Sequence, residues 1–380
     1  VSVLVPAHAA QETLHLALDS LLAQTWRNLE VIVVDDCSSD GTFALAQGYA
    51  CRDSRVKALQ QSENRGAYSA RNRALRAARG DFVTVHDADD WSHPQKIEIQ
   101  ARDLMQASER IANITCWVRA SRELFFHGTT RPSNKLVQLN HSSLMLRRET
   151  LEHLGGWDEV RVAADSELMR RIEHHYGPGC VHTLLPDVPL AFALQESSLT
   201  RSGMTHVHTL YHGVRREYHV ASMHWLTTLK DTAPAHCPDE RSFPAPGFIL
   251  PHRREELVLD LVFILDFNLS GGAYVSTMNY VEAALAQGLR VGLFHWRRYD
   301  LDVTRPLRPE IRQMAQEGRI HVVTPGEKVS ARTVIAGYPP VLQHGIDMAP
   351  VLSCTRFAII TNQMSSRLYS GGDVQYDSGT

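Results

Sequence analysis

Four short apolar runs near the start of the chain each end in polar side chains that a strand does not need, and helical stretches separate them. The runs are Val1-Ser2-Val3-Leu4-Val5-Pro6, Leu29-Glu30-Val31-Ile32-Val33-Val34, Val56-Lys57-Ala58-Leu59 and Phe82-Val83-Thr84-Val85. Between them lie an amphipathic stretch from Glu12 to about Gln24, a second from Gly41 to Ala50, and a third with Ala70, Ala74, Leu75 and Ala78 on its apolar face. Strand, helix, strand in repetition predicts a mostly parallel sheet with helices on both faces. Such sheets place ligands at the C-terminal ends of their strands. The unusual residues fall at those ends: Pro6-Ala7-His8, Asp35-Asp36, Asn64-Arg65-Gly66, and Asp87-Ala88-Asp89-Asp90.

The last group is the most informative. Carboxylates crowded at a strand end repel one another, and a hard divalent ion bound through oxygen relieves that repulsion. An ion held by few carboxylates keeps positions open, which substrate phosphates fill. An acidic turn that merely caps the next helix is the plain alternative, and the tetrad alone does not decide between them. Asp36 likewise reads either as an acceptor for the imide N–H of a uracil or as a loop cap feeding Ser38-Ser39-Asp40-Gly41. Arg65 and Arg71 are the cations placed to approach a diphosphate.

At 380 residues the chain suggests two or three domains. A net charge of -3 gives no global reason to expect nucleic acid. Six widely spaced cysteines without a C-x-x-C pair argue against a zinc site or a dense disulfide framework and favour a reducing, cytoplasmic compartment. No apolar run is long enough to span a bilayer. Both ends read as cut, Val1 inside a strand and Gly379-Thr380 without a closing element.

Residues 1–220 are expected to form the first domain. Its later part carries a strand at Ser143-Leu144-Met145-Leu146, the turn Gly155-Gly156-Trp157-Asp158 and a helix from Asp165 to His174. Residues 221–256, with Pro234, Pro238, Pro244, Pro246 and Pro251, read as a linker. Residues 257–380 read as a second, incomplete Rossmann-like α/β unit. Its strands are expected at 257–265, 290–295, 320–323 and 357–360, with a helix from Tyr274 to Gln287. Asp266-Phe267-Asn268-Leu269-Ser270-Gly271-Gly272 joins its first strand and helix, either a tight turn or a phosphate or sugar contact. Without G-x-G-x-x-G it is a weak dinucleotide signal.

In order, the first strand, Val33-Val34-Asp35-Asp36-Cys37-Ser38-Ser39-Asp40-Gly41-Thr42, Asn64-Arg65-Gly66 with Ala70-Arg71-Asn72, Asp87-Ala88-Asp89-Asp90, and Gly155-Gly156-Trp157-Asp158-Glu159 through Asp165 resemble family 2 glycosyltransferases of the GT-A fold over about residues 1–200. The resemblance implies inverting transfer of a sugar from a nucleotide-diphosphate sugar, a UDP-sugar first, with Mg2+ or Mn2+. It implies Pro6, His8, Asp36, Asn64, Arg71, Asp87 and Ala88 around the nucleotide sugar, Asp89 and Asp90 at the metal, and Asp165 as catalytic base. His141, Trp157 and Asp158 fall on the acceptor side, His141 being equally readable as a structural histidine. Asp165 also suits a helix N-cap, a compatible role. The expected acceptor is a saccharide or lipid-linked saccharide of a surface or extracellular polysaccharide. Such an acceptor implies peripheral association with membrane-bound assembly machinery at the inner face of the plasma membrane.

One departure stands out. Relatives often carry Arg-x-His where this chain has Ala193-Leu194-Gln195-Glu196, which leaves a third metal contact unassigned; His206, His208 and His212 are alternatives, or simply a polar helix face. With Tyr338-Pro339-Pro340-Val341 and Thr361-Asn362-Gln363, the second unit resembles the N-terminal lobe of a GT-B glycosyltransferase.

Three rivals remain. A nucleotidylyltransferase needs a Gly-rich phosphate loop with Lys or Arg after the first strand, which Pro6-Ala7-His8-Ala9-Ala10 does not supply. A non-catalytic nucleotide- or sugar-binding module suits residues 257–380 best. An oxidoreductase reading of that unit lacks its fingerprint.

Overall fold

The computed structural model of the chain describes residues 1–107, 109–128, 135–194, 203–205, 207–210, 213–229, 241–252, 256–297, 305–343, 345–346 and 348–361. The chain divides into two compact units. The first comprises Val1–Val207, Thr228–Ser242 and Leu250–His252; the second comprises His208–Thr227, Phe243–Ile249 and Arg253–Thr380.

The first unit opens with β1 (Ser2–Ala7), α1 (Leu14–Leu22), β2 (Glu30–Asp35), α2 (Thr42–Arg52), β3 (Val56–Gln60), α3 (Ala67–Ala77), β4 (Phe82–Val85), β5 (Asp90–Ser92) and α4 (Lys96–Gln106). It continues through β6 (Ala112–Ile114), β7 (Cys116–Ala120), β8 (Phe126–His127), β9 (Gln138–Leu139), β10 (Met145–Arg147), α5 (Arg148–Leu154), α6 (Ala164–Tyr176), β11 (Val181–Thr183) and β12 (Pro189–Leu194). The main sheet runs β11-β6-β10-β4-β1-β2-β3. β1 pairs in parallel with both β2 and β4, whereas β10 enters antiparallel between β4 and β6. This is the mixed, mostly parallel α/β sheet expected from the strand-helix alternation.

Val3, Val5, Val31 and Val33 are fully buried against Leu14, Leu18 and Leu21 of α1 and Ile97, Ala101 and Leu104 of α4. Burial of β1 on both faces is why it reads as a continuous apolar run rather than an alternating one. A smaller sheet, β5-β12-β7-β8 with β9 on β7, occupies the stretch whose sequence pattern was mixed. It carries Trp91, whose ring stacks on Phe192 at 5.2 Å.

In the second unit, α7 (Val214–Thr228) is succeeded by β13 (Leu257–Leu265), α8 (Gly272–Ala286), β14 (Val291–His295), α9 (Pro309–Gln316), β15 (Ile320–Val323), β16 (Lys328–Ala336) and β17 (Val351–Ile359). Its sheet runs β15-β14-β13-β16-β17, every pair parallel. α7 overlaps the first residues of the expected linker, and Pro234 and Pro238 lie outside the described residues. β16 was not expected; the final strand begins at Val351 rather than near Phe357. No helix among the described residues is long and apolar enough to cross a membrane.

Candidate active site

α3 delivers the central side chains. Tyr68, Arg71 and Asn72 stand at i, i+3 and i+4, so one helix face carries all three toward the loop between α5 and α6. That loop is shaped by backbone that most residues avoid: Gly155, Gly156 and Ala163 all have positive φ. A Cβ on Gly156 would lie 2.6 Å from Asn72 Oδ1, so only glycine lets the loop approach. Asn72 uses that proximity, accepting from Trp157 N–H at 2.9 Å and donating to the Trp157 carbonyl at 2.7 Å. Both bonds are buried, and breaking either leaves an unsatisfied backbone group costing about 1–3 kcal/mol.

With the loop fixed, α6 begins at Ala164 behind a left-handed Ala163. Asp165 is therefore a first-turn residue and not the N-cap that the sequence pattern allowed. The position still suits a carboxylate, because the first turn of a helix carries unpaired N–H groups and positive dipole charge. Arg71 Nη1 donates to Asp165 Oδ1 at 2.5 Å, and Tyr68 Oη donates to Asp165 Oδ2 at 2.9 Å. The other end of the same guanidinium, Nη2, donates to Asp87 Oδ1 at 3.1 Å, while Ser142 Oγ donates to Asp87 Oδ2 at 2.6 Å. The ring faces of Tyr68 and Trp157 flank the guanidinium at 4.9 and 5.8 Å.

Side-chain exposure separates the roles. Arg71 is 4% exposed, Asp165 21% and Asp87 31%. The cation is the floor, and the two carboxylates face outward from it. Burial alone would lower the Arg71 pKa, but Asp165 and Asp87 outweigh it and the net shift is upward. Asp87 shows the converse: burial opposes its ionisation, and Arg71 and Ser142 overcome that and hold it below the usual carboxylate range.

The rest of the acid cluster differs. Asp90 is buried, and burial together with Asp89 and Asp87 raises its pKa well above the ordinary value. Asp89 is half-buried on the turn before it. Beneath lie two buried groups that the sequence pattern does not single out. Burial lowers Lys96 to about 8, against the pull of Asp90 and Asp87. Burial and Lys96 lower His86 to about 3, so it is neutral at physiological pH.

Among the residues expected around the nucleotide sugar, Asp36 is buried and holds a loop. Its carboxylate accepts from Gln61 Nε2 at 2.7 Å and from the backbone N–H of Arg65 and Gly66 at 2.8 and 2.7 Å. His8 bridges the same loop: Nδ1 lies 2.9 Å from the Asp36 carbonyl and Nε2 lies 3.1 Å from Asn64 Nδ2. A proton on Nδ1 lets His8 donate to the first and accept from the second. Arg161 fixes Asn64 in turn, through 2.8 and 3.1 Å bonds to its side-chain and backbone oxygens. Pro6 is buried near the end of β1, and Ala88 is buried in the turn after β4.

The expected acceptor residues separate. His141 opens a short 3-10 turn beside Ser142 and is partly exposed. Trp157 and Asp158 are buried and present almost no surface; Asp158 accepts from Arg241 Nη1 at 2.8 Å. Both support the wall that carries Asp165. Arg65 is drawn to Glu159 at 2.8 Å. Gln195, Glu196, His206 and His212 lie outside the described residues, as does the His208 side chain. Among the described residues no three His, Cys, Asp or Glu side chains converge as a ready-made metal cage.

Residues 2–171 match the family model described as glycosyl transferase family 2. These residues belong to that family. The family 2 domain is 39% identical over 108 residues to the putative teichuronic acid biosynthesis glycosyltransferase TuaG of Bacillus subtilis, an overlap of 28% of this chain and 43% of TuaG. It is 38% identical over 116 residues to the succinoglycan biosynthesis protein ExoO of Rhizobium meliloti, 30% of this chain and 33% of ExoO. The chain thus spans less than half the length of either relative. Among solved structures, S. aureus TarS 1–349 in complex with UDP-GlcNAc aligns with TM-score 0.47 and 20% identity, covering 60% of this chain and 68% of TarS.

Proposed function

We propose that the family 2 domain transfers a sugar, with inversion, from a nucleotide-diphosphate sugar to a saccharide acceptor of a surface or extracellular polysaccharide. A UDP-sugar is the first donor to test, and a lipid-linked saccharide is included among acceptors. The observation that carries this is the sharing of one buried guanidinium by Asp165 and Asp87. It supports reading Asp165 on α6 as a base beside a carboxylate on the rim where α/β sheets hold nucleotides. The names of TuaG and ExoO, both biosynthetic, support the substrate class.

Asp165 accepts the proton of the acceptor hydroxyl as that oxygen attacks the anomeric carbon, and the bond to the diphosphate breaks on the opposite face. Its carboxylate has both oxygens anchored from below and keeps lone pairs on its open side. Asp87 and Ser142 orient the nucleotide end, with His8, Asn64 and the Asp36-held loop at the base. Oxygen donors and the elevated Asp90 fit a hard divalent cation. Asp89 and Asp90 would hold Mg2+ or Mn2+, which when bound supplies positive charge against the diphosphate. Asp89 is the more accessible of the two. Among the described residues no third His, Cys, Asp or Glu joins them, so the substrate diphosphate would supply further oxygen donors.

For the second unit a nucleotide- or sugar-binding lobe of GT-B type is the reading. Added Cβ atoms at Gly271 and Gly272 would meet nothing within 4 Å, so that turn is open. We assign it no catalytic residue. The test of the main reading is a screen of nucleotide sugars for hydrolysis and binding with and without Mn2+, then an acceptor screen with the best donor. A chain that binds and turns over none of them refutes it.

A further inference from the structure

We infer that Tyr68 and Arg71 are positioning residues for Asp165, and that Arg71 acts on the reaction through that carboxylate rather than by touching the diphosphate. The inference rests on the reading of Asp165 as the base. Tyr68 Oη and Arg71 Nη1 bond to different oxygens of one carboxylate, at 2.9 and 2.5 Å, so its plane cannot turn without breaking a bond. Arg71 is itself fixed by Asp87 at 3.1 Å and by the Tyr68 and Trp157 rings.

Burial argues against direct diphosphate contact. With 4% of the Arg71 side chain exposed, and both terminal nitrogens engaged, the guanidinium reaches an incoming phosphate only by leaving a carboxylate. Lysine retains the charge but is a point donor that cannot span two carboxylates as the planar fork does. Phenylalanine at 68 keeps the ring under the guanidinium and deletes only the hydroxyl. These two substitutions separate positioning from charge.

The experiment uses the full chain. UDP or GDP, whichever binds the wild type with Mn2+, is titrated calorimetrically into wild type, Arg71→Lys and Tyr68→Phe. kcat and KM for donor and acceptor are then measured in each, and in each substitution combined with Asp165→Asn. Misplacing a reacting group by about an ångström costs on the order of 100-fold, which is the loss in kcat expected for Arg71→Lys. Tyr68→Phe loses about tenfold, one hydrogen bond's worth. Nucleotide affinity stays within about threefold in Tyr68→Phe, since a removed positioning contact need not touch ground-state binding, and in Arg71→Lys it falls far less than kcat, because only the bond to Asp87 bears on the nucleotide.

In the Asp165→Asn background neither substitution lowers the residual rate further, because residues acting through one group are not additive. Nucleotide affinity that falls in step with turnover in Arg71→Lys, or full additivity with Asp165→Asn, overturns the inference. If Arg71→Lys fails to fold, Tyr68→Phe decides alone by the same two criteria. A wild type that binds and turns over no nucleotide sugar fails the parent reading, and this one with it. An active wild type with undiminished kcat in Tyr68→Phe fails only the positioning of Asp165 by its hydroxyl.

Discussion

The C-terminal rim of the first unit's sheet and that of the second are built from the same strand-loop-helix logic, yet they use charge differently. In the first, Arg71 ties Asp87 to Asp165, and both carboxylates keep a fifth or more of their side-chain surface open. In the second, Asp266 is buried at the end of β13 and accepts from Asn268 N–H at 2.9 Å. Arg308 there turns inward on the loop, donating to the Phe267 and Leu269 carbonyls at 3.2 and 2.8 Å. Away from that rim, just before β16, buried Glu327 accepts from the backbone N–H of Thr324 and Gly247 at 2.7 and 3.0 Å and faces His321. A parallel sheet concentrates polar groups at one edge in either case. Chemistry needs those groups held but still reachable, and among the described residues named here the carboxylates of the first rim combine the two while Asp266 is closed in.

The comparison breaks first at Asp165. Asp165→Asn is expected to lower transfer by about 1,000-fold, within the range for losing a general base, while metal-dependent donor binding persists. A variant that keeps most of its turnover removes the base assignment. Next, Asp89→Ala should abolish the Mn2+-dependent part of donor affinity, at least about tenfold by titration calorimetry. Equal affinity with and without Mn2+ in the wild type would count against the metal site, and a variant that keeps the Mn2+-dependent gain would place the cation elsewhere.

Glu327, just before the start of β16, probes the second unit, where stability and not rate should respond. Burial opposes its ionisation, but His321 and the backbone donors prevail and hold its pKa below 4.5. A carboxylate depressed in the folded state stabilises the fold above its unfolded pKa and loses that contribution as pH falls through the folded value. Glu327→Gln should therefore cost about 2 kcal/mol in urea unfolding at about pH 7, the worth of charge-assisted bonds. The gap to wild type should narrow progressively below pH 4.5, the ordinary glutamate value; a gap independent of pH would mean that ionisation is irrelevant there. The smallest effect belongs to Asp266→Asn, which should leave transfer by the first unit within about twofold. A larger loss would show that the second unit contributes to transfer.

Much of the first rim was legible because strand ends are marked locally. Val83 and Val85 read as strand, Asp87, Asp89 and Asp90 read as the polar loop at its end, and the sheet delivers them to the expected edge. Pairing across the fold could not be read. Tyr68 and Arg71 sit nearly a hundred residues from Asp165, and nothing local distinguishes a helix-face tyrosine that packs from one that donates to a carboxylate. The i, i+3, i+4 spacing of Tyr68, Arg71 and Asn72 was the available signal. Trp157 and Asp158, expected on the acceptor side after a Gly-Gly turn, are drawn inward by Asn72 and Arg241, a pairing that no local pattern marks. β16 escaped notice because Lys328, Ser330, Arg332 and Thr333 dilute its apolar residues, although its buried and exposed positions nearly alternate. The small sheet is assembled from strands as short as two residues, too brief for a periodic signal.

The left-handed Ala163 has a bearing on how this segment can drift in sequence. With φ at 76°, it tolerates glycine or asparagine but excludes valine, isoleucine and threonine, whose branched carbons clash in that conformation. Randomising position 163 and sequencing the active survivors would record, in nothing more than the alphabet that persists, whether the helix carrying Asp165 still has to start from that one backbone bend.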